Sequence, residues 1–471
     1  MPTRSSATAI RRWAAVLVPG AILYFAPWPL LNTTQRHLLA IFASTVISLI
    51  AQPVPMGVSV LVAMTLLALT RTLTPTAVLA GFGNVVVWLI FTAFLFARAV
   101  TATGFGMRVA YVFVRQFGRS PLTLGYSIAA SGVVLSPFVP SDTARGGGII
   151  YPITRSLAQT FGSEPGETAG RFGVFLMLVA FHTNYVASAM FLTSMASNPV
   201  IAEFAHKLGH VDLTWMKWAM ASSVPGLLAL ALVPYVIFKL HPPELRDTSA
   251  ARAMASDELR RMGPMSGREL RLVVILLAVM AGWVFSPWHG ISNTFVALAG
   301  VSAILITRVL SWDDLLSETK AWDALIWFAP LVMMADNLND SGVIKVLSNS
   351  LFARMHGWPW AVALLALVLT YLYIHYAFAS MTAQVMALYP AFLGAAVAAG
   401  APPLVSALLL AFYSSLNAGL THYGTGSAPV FFNAGYVGQG TWWRVGFVLS
   451  ILNLAIWVGV GSIWWRLIGL W

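Results

Sequence analysis

The sequence predicts an all-α polytopic membrane protein, on the basis of its composition, its apolar runs and its scarcity of charge. Of 471 residues, 58% are hydrophobic and only 9% are charged, and the mean hydropathy is +0.78. Apolar runs of about twenty residues, the length that spans a bilayer, recur through the chain. The 18 Trp and 13 Tyr suit the two interfacial belts. Because backbone polar groups inside a bilayer must be satisfied within helices, one large helical domain is expected.

About eleven membrane helices follow from the apolar runs. They are expected at roughly 13–31, 37–52, 56–70, 85–104, 170–191, 215–238, 271–288, 292–309, 322–338, 403–420 and 443–467. The first run follows Arg4, Arg11 and Arg12, but it is long and has no convincing small-residue cleavage site, which indicates a retained span. A short organellar transit peptide is the alternative, since Ser5 and Ser6 accompany these arginines without acids.

Two further apolar regions do not fit as single spans. Region 120–160 is interrupted by prolines and by three consecutive glycines, and region 358–398 by the polar step at 379–382. Non-helical backbone at membrane depth is tolerated only where it is buried in protein or lines an aqueous cavity. Both regions are therefore predicted to be re-entrant helical hairpins with polar tips.

The two halves of the chain contain matching motifs. Residues 141–152 correspond to 380–390, with one residue of slippage, and LTSMASNPV at 192–200 corresponds to HYGTGSAPV at 422–430. The helices that lead into these pairs are five spans apart, and an odd separation gives the halves opposite orientations. The pattern predicts an inverted repeat, a common construction among secondary transporters.

The formal charge of +11 is concentrated where cytoplasmic ends are expected. Basic residues flank the stretch 108–119 and fill the long polar loop between the halves, a distribution that argues against a nucleic-acid partner. The predicted organisation is a first half at 1–238, a cytoplasmic linker at 239–270 and a second, inverted half at 271–471. The N-terminus is expected in the cytoplasm and the C-terminus outside. The absence of cysteine excludes disulfides, thiolate catalysis and cysteine metal sites.

The hairpin tips carry the candidate chemistry for binding an anion. A helix N-terminus presents unpaired N–H groups and a partial positive charge, which suit a carboxylate. Ser141 and Thr143 at one tip, and Ser380 and Thr382 at the other, add hydroxyl donors that could hold the two ends of a small dianion. The broken segments that follow each hairpin would contribute carbonyls and dipoles. Their candidate residues are Thr193, Asn198, Pro199, Thr425 and Pro429.

These motifs resemble those of the divalent anion/sodium symporter family. PSDTARGGGIIYP at 140–152 is similar to its first hairpin signature, AFASMTA at 377–383 to the second, and LTHYGTGSAPV at 420–430 to the segment that follows. The nearest likeness is to the exchangers of citrate or tartrate with succinate and of 2-oxoglutarate with malate. The resemblance implies a homodimer with a scaffold and an elevator-like transport domain. It also places Ser141, Asp142, Thr143 and Ser380, Met381, Thr382 on the substrate-binding triplets.

Asp142 and Met381 depart from the asparagine that the family has at the middle of each triplet. An ionised Asp142 would repel a carboxylate, and Met381 donates no hydrogen bond. Three interpretations of Asp142 remain open: an ion pair with Arg145 at the i, i+3 spacing, a protonated carboxyl, or a retained cation. Arg145 and His422 are predicted to supply fixed positive charge in place of coupling ions.

The predicted function is secondary transport, by antiport of C4 and C5 dicarboxylates such as succinate, malate and 2-oxoglutarate, with citrate and tartrate as further candidates. Sodium-coupled symport is the alternative, so sodium stays open while no other cofactor or metal is expected. An anion channel and a membrane-embedded enzyme are the other classes, but HExxH and GxSxG motifs are absent from the sequence. The bacterial inner membrane is the expected location, with the plastid inner envelope as the alternative.

Overall fold

The computed structural model describes residues 6–471, with side chains from Ile10 onward. All regular secondary structure in this range is helical. Nine helices are long and apolar enough to cross a membrane within the described range, and the protein is a multi-pass membrane protein. The predicted residues Arg4 and Ser5 lie outside the described residues.

The first part of the chain contains thirteen α-helices. They are α1 (Ser6–Phe25), α2 (Thr33–Ala51), α3 (Met56–Leu69), α4 (Pro75–Leu79), α5 (Val85–Thr103), α6 (Phe105–Phe117), α7 (Pro121–Leu135), α8 (Asp142–Arg145), α9 (Tyr151–Thr160), α10 (Gly173–Met190), α11 (Asn198–Gly209), α12 (Trp215–Leu240) and α13 (Ser249–Met262). A π-helical turn at Gly146–Ile150 joins α8 to α9 without a break.

The second part contains twelve more. They are α14 (Gly267–Val284), α15 (Ser286–His289), α16 (Asn293–Ile306), α17 (Trp312–Ser317), α18 (Thr319–Asp340), α19 (Val343–Ala353), α20 (Trp360–Tyr373), α21 (Met381–Ala398), α22 (Pro403–Leu416), α23 (Ala428–Phe432), α24 (Gln439–Leu454) and α25 (Gly461–Leu467). Short 3-10 turns extend α7, α20 and α22, and a π-helical segment joins α24 to α25.

Most predicted spans agree with these helices to within a few residues, and the first is displaced. Prediction placed it at 13–31, whereas α1 ends at Phe25, just before Ala26. The residue that precedes a proline is disfavoured in helical conformation, so Pro27 ends the helix early. Helices α6, α11, α13 and α19 were not among the predicted spans, and α13 lies in the linker that was expected to be a polar loop.

Helix packing divides the membrane part into two groups. The first group, which we name the peripheral group, packs largely against itself. It consists of α1, α2, α3, α5, α14, α16 and α18. The central group, α7 to α11 with α20, α21 and α22, packs around α10, whose residues are almost all buried. The interrupted pairs α7–α8 and α20–α21 belong to the central group, and their breaks face the peripheral group.

The ends of the helices define two faces of the molecule. At the first, which we name the linker face, Arg12 donates to the Gln52 carbonyl (3.2 Å) and Arg271 to the Thr307 carbonyl (2.6 Å). At the opposite face, Gln35 donates to the Ser341 carbonyl (2.5 Å). Helix α18 therefore begins at the linker face and ends at the opposite one.

The linker is docked onto the membrane part. Helix α13 packs on α6. Arg108 of α6 holds the C-terminal end of the linker, since it donates to both oxygens of Glu269 (2.8 and 3.1 Å) and to the Gly263 carbonyl (3.0 Å). A bidentate arginine–carboxylate pair fixes orientation as well as distance. The polar connection is thus an ordered part of the linker face.

Candidate functional site: a cavity between the two helix breaks

A cavity of about 320 Å³ lies where the two interrupted helix pairs meet the peripheral group. Both predicted triplets line it, one from each break. The broken segments that follow also contribute to this side, and the residues include Ser141, Asp142, Thr143, Ser380, Met381, Thr382, Met195, Ala196, Thr425 and Gly426. The opposite wall consists of residues from α3, α5 and α18 and from the turn after α2. This volume is near the lower end of the range of small-molecule pockets, about 300–1,000 Å³.

The two breaks are capped in the same way. Ser141 precedes α8 and its hydroxyl accepts from the amide of Ala144 (3.1 Å), and Ser380 precedes α21 and accepts from the amide of Ala383 (3.3 Å). Serine is a preferred N-cap because its oxygen satisfies one amide of the first turn. Each hydroxyl hydrogen stays available to a ligand, so two helix N-termini and two hydroxyl donors face one cavity.

Asp142 is held by donors from both halves of the chain. Its Oδ1 accepts from the side-chain amide of Asn184 (2.6 Å) and from the hydroxyl of Ser188 (3.4 Å). Its Oδ2 accepts from the hydroxyls of Thr425 (2.8 Å) and Ser427. A carboxylate accepts at both oxygens, whereas an asparagine amide accepts at one. This explains the departure from the family pattern: the first tip is bound to the second half through a group that only accepts.

Arg145 is fully buried and all five of its donor hydrogens are used by the protein. Nε donates to the Asn184 side chain (2.8 Å), and one terminal nitrogen to the carbonyls of Val139 (2.9 Å) and Ser194 (3.1 Å). The other terminal nitrogen donates to the Asn184 carbonyl (3.0 Å) and to Ser188 (2.5 Å). The charge lies behind the tip and does not contact the cavity.

The expected direct ion pair between Asp142 and Arg145 is wrong. Both groups are hydrogen-bonded to Asn184 and Ser188, which stand between them. The i, i+3 spacing allows a pair on a solvated helix, but here Arg145 turns toward backbone carbonyls left without partners at the helix breaks. The two charges offset each other through neutral intermediaries.

His375 occupies the corresponding place behind the second tip. The side-chain nitrogen of Gln384 donates to the Tyr371 carbonyl (2.6 Å). The side-chain oxygen of Gln384 therefore faces Nδ1 of His375, and this oxygen also accepts from Asn417 (2.8 Å). Nε2 of His375 is 2.8 Å from the carbonyl of Gly424. Both ring nitrogens of His375 therefore lie against oxygen atoms of the protein, and the ring joins the second helix break to the segment that contains Gly424.

The remaining predicted residues lie outside the cavity wall in the described structure, which corrects their assignment. Thr193 donates to the Pro137 carbonyl (2.8 Å), and Asn198 donates to the carbonyls of Ser188 (3.0 Å) and Phe191 (2.9 Å) where α10 ends. These side chains satisfy broken-helix ends rather than a ligand.

Pro199 and Pro429 occupy the first turns of α11 and α23, where a missing N–H costs nothing. His422 accepts a hydrogen bond from Trp443 (3.1 Å) and packs in an aromatic cluster. His422 does not face the cavity.

The peripheral wall was missed by sequence reasoning. Lys320, Asp323 and Trp327 line the cavity from α18, with Gln52 at the end of α2 and Phe94 in the middle of α5. Lys320 and Asp323 carried a usable signal, because charges at the start of an apolar span are costly and commonly functional. Gln52 and Phe94 carried none, since one is an ordinary helix end and the other an ordinary apolar residue.

The fold and the cavity together define a membrane transport protein. An all-helical, multi-pass chain has polar helix breaks in its interior, and irregular backbone at that depth is typical of a solute site.

The chain belongs to the family described as the sodium:sulfate symporter transmembrane region, whose model matches residues 6–471. It is the divalent anion/sodium symporter family that the tip motifs resemble, and the protein is a transporter rather than an enzyme.

Comparisons with individual proteins agree. The chain is 43% identical to dicarboxylate transporter 1, chloroplastic, of Arabidopsis thaliana over 474 residues, which cover 100% of this chain and 85% of that protein. It is 32% identical to the L-tartrate/succinate antiporter of Escherichia coli (strain K12) over 475 residues, 96% of this chain and 97% of the relative. The YdaH transporter of Alcanivorax borkumensis has a similar fold, with a TM-score of 0.57 at 18% identity, covering 85% of this chain and 89% of that one.

Proposed function

We propose that the protein exchanges C4 and C5 dicarboxylates across a membrane. The carrying observation is that the two serine-capped helix breaks, with the hydroxyls of Ser141 and Ser380 at their tips, line one cavity. A dianion held there would meet hydroxyl donors and the partial positive charges of two helix N-termini, all of which belong to the protein. The names of the relatives, a dicarboxylate transporter and a tartrate/succinate antiporter, support this substrate class.

Positive groups that belong to the protein favour antiport over sodium symport: the helix N-termini at both tips and the buried Arg145 behind the first. A diffusible ion leaves with its substrate, whereas a built-in charge stays with the empty carrier, and moving it unneutralised across the barrier is costly. The empty carrier would therefore return only with a second dianion. No sodium ion and no other cofactor is required in this scheme.

The proposed movement is that of an elevator, with the central group as the transport domain and the peripheral group as the scaffold. The supporting observation is that the cavity lies between these groups. The two capped breaks fit an inverted repeat of two re-entrant hairpins, with halves at 1–238 and 271–471 and a cytoplasmic linker between them. A homodimer in the bacterial inner membrane, with the N-terminus inside and the C-terminus outside, completes the proposal.

Uptake of labelled succinate by proteoliposomes tests this function. We expect uptake into vesicles loaded with a dicarboxylate, little uptake into empty vesicles, and no difference between sodium and potassium buffers. Sodium-driven uptake into empty vesicles would establish symport instead. A single-channel current carried by dicarboxylate would place the protein among anion channels.

A further inference from the structure

The face that α18 turns to the cavity carries two charged residues, Lys320 and Asp323, that the proposed exchange does not use. Lys320, Asp323, Ala324, Trp327 and Phe328 line the cavity, and their spacing of three and four residues puts them on one face of the helix. Helix α18 belongs to the peripheral group, so these residues meet the tips across the gap between the two groups.

Lys320 is the basic residue of the cavity wall. The other charged residues that line the cavity are Asp142 and Asp323, and Asp142 is already occupied by four donors. Lys320 is exposed, and it forms no ion pair or hydrogen bond with the described residues. Its ammonium is therefore free to meet an anion, unlike the enclosed Arg145.

The position of Lys320 in its helix is unfavourable for stability. It is the second residue of α18, next to the positive end of the helix dipole, where a cation is disfavoured. The adjacent Glu318 does not compensate it, because its ion pair is with Arg98 (3.9 Å). The helix end and Lys320 together place positive charge at the linker-face end of the cavity.

Asp323 lies one turn further along the same face and is also exposed. It too forms no ion pair with the described residues. A carboxylate here would repel the third charge of a ligand most strongly, because that charge has neither the tips nor Lys320 to bind it and like charges in a restricted cavity repel.

We propose that Lys320 and Asp323 select the charge of the anion at the linker face: Lys320 binds the distal carboxylate of a dianion held by the tips, and Asp323 disfavours a trianion. This inference rests on the proposed function. It adds that recognition is sided, because α18 does not move with the tips, so Lys320 contacts the anion only when the site is open to the linker face.

Counterflow of labelled succinate in inside-out and right-side-out membrane vesicles tests the proposal. With Lys320→Gln we expect KM at the linker face to rise about tenfold, because one charged hydrogen bond to the anion is lost. KM at the opposite face should stay unchanged. Lys320→Arg should restore the value. Lys345→Gln, which removes an exposed lysine of α19 away from the cavity, is the matched control and should change neither KM. An unchanged KM at the linker face, or an equal rise at both faces, would overturn the sided role.

Asp323→Asn tests charge selection with citrate as the competing anion. We expect citrate to inhibit succinate counterflow at about tenfold lower concentration in this variant. Unchanged inhibition by citrate would overturn the role of Asp323.

Thermal shift with succinate separates this inference from the proposed function. If succinate stabilises the wild-type protein but drives no counterflow, exchange alone is refuted. The binding role of Lys320 would still be supported if Lys320→Gln needed a higher succinate concentration for the same thermal stabilisation. Wild-type protein that succinate neither stabilises nor drives into counterflow would overturn both proposals.

Discussion

At the scale of single residues, the buried charges of the site are defined by the number and kind of their partners. Every N–H of the Arg145 guanidinium donates to a neutral acceptor, and both carboxyl oxygens of Asp142 accept from neutral donors. Such complete satisfaction is what makes an enclosed charge tolerable, since an unpaired one costs several kcal/mol, about 3–5 when one partner of a buried pair is removed. Charge in the site is therefore held in place rather than offered directly to the ligand.

His375, which precedes the second tip, and His422, which lies in the break between α22 and α23, give the first prediction. His375→Ala removes the ring that lies between the carbonyl of Gly424 and the oxygen of Gln384, and that oxygen then keeps only the donor of Asn417, so we expect succinate exchange to fall more than about tenfold. His422→Ala removes one acceptor in an aromatic cluster and should retain exchange. Exchange in proteoliposomes, with elution of monodisperse protein as the folding control, decides between them. Loss in His422→Ala with retention in His375→Ala would restore the sequence-based assignment.

At the scale of elements, the tips depend on close approach between segments that are far apart in the chain. A side-chain carbon added at Gly426 would lie 2.3 Å from the hydroxyl oxygen of Thr143, and one added at Gly146 would lie 2.5 Å from the side-chain nitrogen of Asn184. Neither glycine has the positive φ that usually explains the residue. Their function is to let the second broken segment and α10 touch the first tip.

The second prediction follows from Gly426. In Gly426→Ala the least costly relief is rotation of Thr143, which turns its hydroxyl out of the cavity, so we expect KM for succinate to rise about tenfold with the fold retained. Gly148→Ala, where the added carbon meets nothing within 4 Å, is the matched control. Initial rates of counterflow over a range of succinate concentrations measure both. An unchanged KM in Gly426→Ala would remove Thr143 from the binding site.

At the scale of the whole molecule, Asp142 connects the first tip to the second half. Its bonds to Thr425 and Ser427 span most of the sequence, and both partners lie in the break between α22 and α23. The two halves thus meet at the cavity through hydrogen bonds as well as through packing. A connection of this kind fixes the first tip against the broken segment of the second half.

The third prediction concerns this connection. Asp142→Asn and Ser427→Ala should each lower the midpoint of thermal unfolding. The double variant should lose less stability than the sum of the two single losses, because the two side chains share one hydrogen bond, worth about 1–3 kcal/mol when the carboxyl is charged. Ser406→Ala, whose buried hydroxyl bonds only within its own helix, is the control and should be additive with Asp142→Asn. Additive losses for Asp142 and Ser427 would contradict the connection. Thermal unfolding in detergent gives the midpoints of the wild type, the three single variants and the two double variants.

The sequence by itself determined the membrane class, most helix positions and the two tips. Hydropathy sets which segments leave water, and prolines, glycines and serines set where helices end, and both are local properties. Ser141 and Ser380 were identified because an N-cap is a local arrangement. The family followed from the same short motifs.

Only the tertiary structure decided which polar side chains face the cavity. His375 and His422 are indistinguishable by local pattern, and only packing places one between two acceptors and the other among aromatic rings. The spacing of Asp142 and Arg145 suggested a pair, but Asn184, distant in sequence, separates them. Lys320 reaches the cavity because the peripheral group packs against the tips. The physical reason is common to all of them: contacts between distant segments depend on how helices pack, and hydropathy and capping do not specify that packing.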